Sequence, residues 1–197
     1  SYDPDITWET TTTYNVGVDF GFCDDRITGN VDAYVRNTSD LLNEVITPMG
    51  ANFGNKILTN IGSMQNKGIE FSLNVVPVQT KDWHLSIGFN GTFQDTKITK
   101  LNTSDDPRYM EQVVDIEKGT GSKFSFHKVG YAPYTYYPYQ QLYDSNGKPI
   151  QNAFVDRDGD GKISELDRYE SGKSPIPGFY YGLNLKLSYK DWDFGLN

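Results

Sequence analysis

Residues 8–22, WETTTTYNVGVDFGF, keep a period of two over fifteen residues. The even positions are Trp8, Thr10, Thr12, Tyr14, Val16, Val18, Phe20 and Phe22, and the odd ones are Glu9, Thr11, Thr13, Asn15, Gly17, Asp19 and Gly21. Successive side chains of an extended chain leave on opposite faces, so this stretch has one apolar and one polar face. A strand of an ordinary soluble domain runs about five or six residues. A sandwich strand also alternates, with its apolar side turned to a core. Length together with aromatics near both ends of the apolar face is the pattern of a strand that crosses a membrane in a β-barrel.

The pattern recurs in hairpins. A polar turn, Cys23-Asp24-Asp25-Arg26, leads to Ile27, Gly29, Val31, Ala33 and Val35 alternating with Thr28, Asn30, Asp32, Tyr34 and Arg36. Alternation returns at Asn66, where Ile69, Phe71, Leu73 and Val75 oppose Gly68, Glu70, Ser72 and Asn74, with Pro77 expected near the strand end. After Gln79-Thr80-Lys81-Asp82 the series Trp83, Leu85, Ile87, Phe89, Gly91, Phe93 begins. Residues 128–143 are tyrosine-rich and read as a strand broken at Pro133 and Pro138, and Asn146-Gly147 favours a type I′ hairpin turn. A last strand through Phe179, Tyr181, Leu183, Leu185, Leu187 and Tyr189 turns at Lys190-Asp191 into Trp192, Phe194 and Leu196. Short turns thus alternate with long connections near 37–65, 97–123 and 144–178. The first of these leaves room for short extended pieces around 41–46 and 56–60. Barrels of the bacterial outer membrane show this asymmetry, with short periplasmic turns and long extracellular loops. Trp8 is then expected near the outer rim, and Phe20 and Phe22 near the inner one. The fold class expected is all-β: an antiparallel meander of long hairpins, an excised segment of about eight strands from a large transmembrane β-barrel.

Composition sets limits on the alternatives. Hydrophobic residues make up 37% of the 197, a value compatible with a barrel because half of each strand faces a polar lumen. No run of about 18 apolar residues exists, which excludes a membrane-spanning helix. The net charge of −8 without a Lys/Arg cluster argues against a nucleic-acid surface. Cys23 is alone, so neither an intrachain disulfide nor a thiolate metal site can form. No signal peptide opens the sequence, which fits a mature, an intracellular or an excised chain.

One segment carries metal chemistry. Asp156-Arg157-Asp158-Gly159-Asp160-Gly161-Lys162-Ile163, ending at Asp167, has the spacing of an EF-hand loop. Carboxylates at positions 1, 3 and 5 (Asp156, Asp158, Asp160), the backbone carbonyl of position 7 (Lys162) and a carboxylate at position 12 supply hard oxygen ligands for Ca²⁺. Gly161 permits the sharp turn and Ile163 can pin the loop. Position 12 is Asp167 where the longer Glu is preferred, and the flanks are not helical. The expected cofactor is a structural Ca²⁺ that rigidifies an extracellular loop. The alternative is an acidic, glycine-rich turn that binds nothing.

Other residues are weaker candidates. The many carboxylates could supply the acid pair of a glycosidase, but lumenal and loop acids are the default. The tyrosine stretch could stack on sugar rings or could form rim and girdle aromatics. His84 and His127 have no second ligand near them in sequence and read as ordinary strand or loop residues. No catalytic residue is assigned, and the chain is not expected to be an enzyme.

Four stretches in order resemble the C-terminal barrel portion of SusC-like (RagA/SusC) TonB-dependent transporters of Bacteroidetes. They are Trp8-Glu9-Thr10 with Tyr14-Asn15-Val16-Gly17-Val18-Asp19-Phe20-Gly21, and Asp25-Arg26-Ile27-Thr28-Gly29 with Val31-Asp32-Ala33-Tyr34 followed by Thr38 and Asp40-Leu41-Leu42. The third is Asn60-Ile61-Gly62-Ser63-Met64 with Asn66-Lys67-Gly68-Ile69-Glu70-Phe71. The fourth runs from Asp158-Gly159-Asp160-Gly161 and Asp167-Arg168 through Gly172 and Pro175-Ile176-Pro177 to Tyr181-Gly182. Such transporters close about 22 strands around a plugged lumen. The plug domain, TonB box and closing strand are absent from this sequence, which is expected to be a fragment with open sheet edges. The resemblance implies a place in the cell outer membrane and import of a glycan, an oligosaccharide or sometimes a peptide. It also implies energy from TonB through the plug, and a SusD-like lipoprotein capping the extracellular mouth. The competing reading is a soluble secreted all-β module that binds calcium, with or without carbohydrate.

Overall fold

The alternating stretches become strands of one long antiparallel sheet. The computed structural model describes residues 6–46, 56–101, 110–114 and 124–197. Its main sheet has six strands: β1 (Thr10–Phe22), β2 (Ile27–Ile46), β3 (Lys56–Gln79), β4 (Trp83–Lys100), and, after a long excursion, two more. The excursion contributes the short strands β5 (Met110–Val114), β6 (Ser125–Lys128), β7 (Thr135–Tyr136), β8 (Gln141–Tyr143) and β9 (Pro149–Phe154). The main sheet resumes with β10 (Phe179–Tyr189) against β4 and ends with β11 (Trp192–Leu196). Among the described residues there are thus eleven strands rather than about eight, the surplus being the short ones in the excursion.

Register keeps the two faces separate across the whole sheet. Val18 faces Val31, which faces Phe71, which faces Gly91, which faces Tyr181. One residue further on, Asp19 meets Asn30, then Ser72, Asn90 and Gly182. A slip of one residue in any pair would mix the faces, so apolar patterning pins the register. On β4 the apolar series from Trp83 to Phe93 spans ten residue steps, about 34 Å at ~3.4 Å each. At a tilt of about 45° that is a band about 24 Å tall, close to the roughly 25 Å apolar belt of a membrane barrel. Aromatic pairs mark its margins: Trp83 and Tyr189 have ring centroids 4.2 Å apart at one end, and Phe93 stacks on Phe179 at 4.3 Å at the other. Among the described residues nothing covers this face. Among the described residues the buried apolar side chains are Ile98, Leu101 and Phe126, and none belongs to the band.

Bulges adjust the long strands. Pro77 lies within β3, in a register shift between Val75 and Val78 where its missing N–H costs no ladder bond, and the Val76 N–H donates to the Arg26 carbonyl at 2.7 Å. A second bulge breaks the β2–β3 ladder around Asp40, which has a φ of 58°. Asn60 secures it, donating from Nδ2 to the Asp40 carbonyl at 2.6 Å and to the Thr7 carbonyl at 2.9 Å.

Several sequence expectations change. The connection expected near 37–65 is mostly strand, because β2 and β3 continue past the band to Ile46 and from Lys56. Its tip lies outside the described residues. The connection near 97–123 likewise starts later, at the end of β4, and its Asp105-Asp106-Pro107 lies outside the described residues. Trp8 is not at the rim: the apolar face of β1 ends at Tyr14, and Trp8 stands beyond the strand, 93% exposed. The turn at Asn146-Gly147 is not type I′, since among its residues only Gly147 has positive φ, at 75°. The Asp144 carboxylate instead accepts from the Asn146 and Lys148 N–H groups at 2.8 and 2.9 Å, an Asx arrangement that shapes the turn.

Residues 128–143 are likewise not a single interrupted strand nor part of a membrane girdle. Tyr131, Tyr137 and Tyr139 instead pack inside the excursion, while Tyr134 and Tyr143 stay exposed. The fully buried Phe126 packs edge-on against Tyr131 and Tyr137, with centroids 5.4 and 5.7 Å away. Tyr139 lies against Phe154 and under the Arg168 guanidinium, 4.9 Å from its ring centre.

Candidate functional site: a cavity on the polar face and an acidic loop

The polar face turns into a cavity where the excursion folds back over it. Three backbone hydrogen bonds and one from a side chain dock the excursion on β4. Ile98 N–H donates to the Tyr131 carbonyl at 2.9 Å and Gly130 N–H to the Ile98 carbonyl at 2.8 Å. Gln94 donates from its backbone to the Gly178 carbonyl and from its side chain to the Pro177 carbonyl, at 2.8 and 2.9 Å. Between wall and excursion lies a cavity of about 910 Å³. Its wall carries Tyr34, Arg36, Glu70 and Tyr180, and its other side His127 and Tyr134. That volume falls within the roughly 300–1,000 Å³ of small-molecule sites.

Polar and aromatic groups alternate here because inward positions on neighbouring strands are in register. Glu70 faces Asp32 on β2 and Thr92 on β4, and Thr92 faces Tyr180 on β10. Arg36 lies 5.8 Å from the Tyr34 ring centre. Asn66 donates to Thr96 Oγ1 at 2.5 Å and to Gln94 Oε1 at 3.2 Å, fixing the amides of the wall. His127 is a strand residue, in β6, and it lines the side of the cavity opposite the wall. Its ring meets Tyr134 at 4.7 Å, and burial pushes its imidazole below the ordinary value. No local sequence signal marks it, because its neighbours in the cavity come from strands distant in the chain. His84 lies on β4 facing Ser188, far down the wall.

Beside this, Glu170 ties the excursion together. Lys128 Nζ and the Tyr131 hydroxyl each reach one of its carboxylate oxygens at 2.6 Å. Burial raises the Glu170 carboxyl, but these two donors outweigh it and hold it below the usual range.

The acidic loop follows β9 and closes on a single 3-10 turn, Glu165–Asp167. Its carboxylates organise the backbone. Asp156 accepts from Gly159 N–H at 2.7 Å and Gly161 N–H at 2.8 Å. Asp158 accepts from Asp160 N–H at 3.1 Å, and Asp160 from Lys162 N–H at 2.7 Å. The buried Asp167 accepts from Arg157 N–H at 2.7 Å and Ser164 N–H at 2.6 Å, completing a capping box with Ser164. These bonds draw one carboxylate oxygen each of Asp156, Asp158 and Asp167 within 4.8 Å of one another. Asp160 is not in that group.

Electrostatics within the cluster are unequal. The N–H groups of Ser164 and Arg157 hold the Asp167 carboxyl below its usual range. The Asp160 N–H pulls Asp158 down, but desolvation and the carboxylates of Asp160 and Asp167 outweigh it and push Asp158 up. Three converging acids with partly strained protonation are chemically suited to a hard divalent cation. The sequence signal (carboxylates at alternate positions followed by Gly) was sufficient to find this cluster.

Comparison with known proteins agrees with this architecture. The family described as "TonB dependent receptor-like, beta-barrel" matches residues 1–197. The TonB-dependent receptor SusC of Bacteroides thetaiotaomicron is 46% identical over the whole chain, which covers 20% of that protein. The TonB-dependent receptor P26 of Formosa agariphila is 30% identical over 98% of the chain, again 20% of the relative. In three dimensions the chain is similar to a structure described as the RagAB peptide transporter, with a TM-score of 0.73 and 26% identity, covering 98% of this chain and 21% of that one. A RagAB peptide importer in an "open-open" state gives 0.75 and 25% over 98% of this chain. The chain spans about one fifth of the length of these relatives. A sheet with one bare apolar belt, a polar opposite face and a folded excursion at one end is thus a piece of barrel wall, and the chain belongs to the TonB-dependent receptor-like β-barrel family.

Proposed function

We propose that the chain is the wall and extracellular-loop portion of an outer-membrane, TonB-dependent importer of the SusC type. The observation that carries this reading is the pair of opposite faces held in register over six strands. The apolar face meets outer-membrane lipid, and the polar face lines the lumen. The cavity sits where that lumen would open beneath the long loops, and it would contribute to the path of a substrate. Tyr34, Tyr134 and Tyr180 offer ring faces for sugars, while amides and hydroxyls of the wall offer donors and acceptors. The substrate class we favour is a glycan or oligosaccharide, with peptides the alternative. A SusD-like lipoprotein would cap the loops, and TonB would act through a plug domain supplied by the rest of the protein. Family membership sets aside the soluble calcium-binding module and an enzymatic role.

The test uses the full-length gene in its own cells. Deleting it is expected to abolish growth on one oligosaccharide class while growth on monosaccharides continues, with the protein found in outer-membrane fractions. Loss of growth on peptides alone would move the substrate to that class. A protein confined to the soluble fraction would overturn the proposal.

We also propose that the acidic loop holds one Ca²⁺ on Asp156, Asp158 and Asp167, with Asp160 and the Lys162 carbonyl as further ligands. The bound ion would neutralise the cluster and stiffen the excursion. Calorimetry with Ca²⁺ should show a binding heat that Asp158→Ala removes; no heat with the unaltered chain would retire the assignment.

A further inference from the structure

The cavity wall sets a tyrosine against a glycine. On its polar face Arg36 pairs with Asn66 in one row, Tyr34 with Gly68 in the next, and Asp32 with Glu70 in the one below. A β-carbon on Gly68 would lie 2.7 Å from the Tyr34 hydroxyl oxygen and 2.9 Å from its Cζ. The phenol end of Tyr34 thus occupies the place that any larger residue at 68 would fill. Tyr34 lies across β3, along the wall rather than standing out from it, and lines the cavity from there.

The rows on either side of this ring differ in chemistry. Above it, the Arg36 guanidinium carbon is 5.8 Å from the Tyr34 ring centre, near the outer limit of a cation–π contact. Arg36 therefore flanks the ring rather than capping it, and brings a fork of N–H donors with no acceptor. Below it, Glu70 lines the same cavity and brings carboxylate acceptors. Donors stand on one side of the ring and acceptors on the other.

We infer that Tyr34 is the platform on which one sugar ring of the substrate stacks, and that Gly68 is the residue that positions it. This rests on the glycan reading above. A sugar ring has an apolar C–H face, which suits the face of an aromatic ring. Its rim of hydroxyls both donates and accepts, so it meets the donors of Arg36 and the acceptors of Glu70 together. A standing tyrosine would break this arrangement by pushing its hydroxyl into the space of the sugar.

The experiment is calorimetry on the full-length protein in detergent, with maltohexaose, cellohexaose and xylohexaose as probes. The unaltered protein should give a binding heat with at least one of them. For that sugar Tyr34→Ala should weaken binding about ten-fold, the loss of one stacked ring. Tyr34→Phe keeps the ring and should stay within about three-fold of the unaltered protein. Gly68→Ala, with Tyr34 still present, should lose as much as Tyr34→Ala, because its methyl group takes the place of the phenol. That methyl group would also lie 2.5 Å from the Phe93 carbonyl oxygen; where this keeps the variant from assembling, the Tyr34 variants decide alone. Equal binding by the unaltered protein and Tyr34→Ala would overturn the platform and leave the glycan reading standing. Equal losses in Tyr34→Phe and Tyr34→Ala would overturn it too, since the hydroxyl and not the ring would then be the contact. No heat with any of the sugars would overturn the glycan reading and the platform with it.

Discussion

The assignment of faces predicts that neighbouring residues respond oppositely to the same change. Leu183 and Asn184 are adjacent on β10 and leave on different sides of the sheet. Leu183, 53% exposed in this chain, faces Phe89 on the apolar side, while Asn184 faces Gly88 on the polar one. Leu183 is four residues from Phe179 at the upper margin, or about 14 Å along the strand, which is about 10 Å of depth at a ~45° tilt. It therefore lies near the middle of a belt about 25 Å tall. Arginine at that depth costs about 2–4 kcal/mol, falling to about 0–1 kcal/mol at the margins. Leu183→Arg should thus weaken folding of the full-length barrel in lipid vesicles by roughly two orders of magnitude in the equilibrium constant. Phe179→Arg should lose only a small fraction of that, and Asn184→Arg should change stability by about 0.5 kcal/mol or less, as an exposed substitution does. The assay is guanidinium titration in vesicles followed by tryptophan fluorescence. Equal costs at 183 and 184 would refute a lipid-facing belt, and a larger cost at 184 would reverse the faces.

Further predictions concern the excursion. Phe126→Ala empties its fully buried centre and should cost about 3–5 kcal/mol of local stability, seen as faster amide exchange in β6 with the paired amides of β2 and β3 unchanged. Because Glu170 has its carboxyl lowered in the folded state by Lys128 and Tyr131, its contribution is present above the ordinary carboxylate range and is lost as pH falls through the lowered value. An acid titration of excursion stability should therefore show a loss below that range that Glu170→Gln flattens. Gly147→Ala, at a φ of 75°, should destabilise the β8–β9 hairpin by about 1 kcal/mol, measured by exchange of the Asp144 amide.

The sequence made the membrane belt legible because two environments imprint a strict period of two. Lipid on one side and lumen on the other leave Val18, Val31 and Phe71 no freedom to change phase. Above the belt both faces meet water, so the pattern dissolves while the hydrogen-bond ladder continues. That is why residues such as Asn37, Thr38 and Gln65 read as a connection although they are paired in the sheet. The tyrosines of 131–139 were legible as aromatics but not as a core, since their partner Phe126 and their cap Arg168 come from either side of them in sequence. The metal-type loop was legible because its geometry is local, each carboxylate being bonded to backbone only a few residues away. Asp167, ten residues from the Arg157 amide it accepts from, is the one long-span member. The cavity left no such trace, having been assembled by register across five strands and an excursion.

The excursion also bears on how quickly such a wall could be built. Strands β1 and β2, and β3 and β4, join through turns of four and three residues, and nine residues separate β2 from β3, so these strands can add one after another. The edge of β4 must then wait for β10, which is separated from Lys100 by 78 residues. Closing a flexible loop of that length rather than a four-residue turn costs roughly 2–3 kcal/mol of chain entropy, a delay of about a hundred-fold if nothing shortened it. The bonds from Ile98 to Tyr131 and Gly130, and from Gln94 to Gly178, bring an inner turn and the far end of the excursion back to β4. An excursion that folds first would therefore hand β10 to its partner nearly in register, so that the slow step of assembly becomes the packing around Phe126 rather than the search between distant strands.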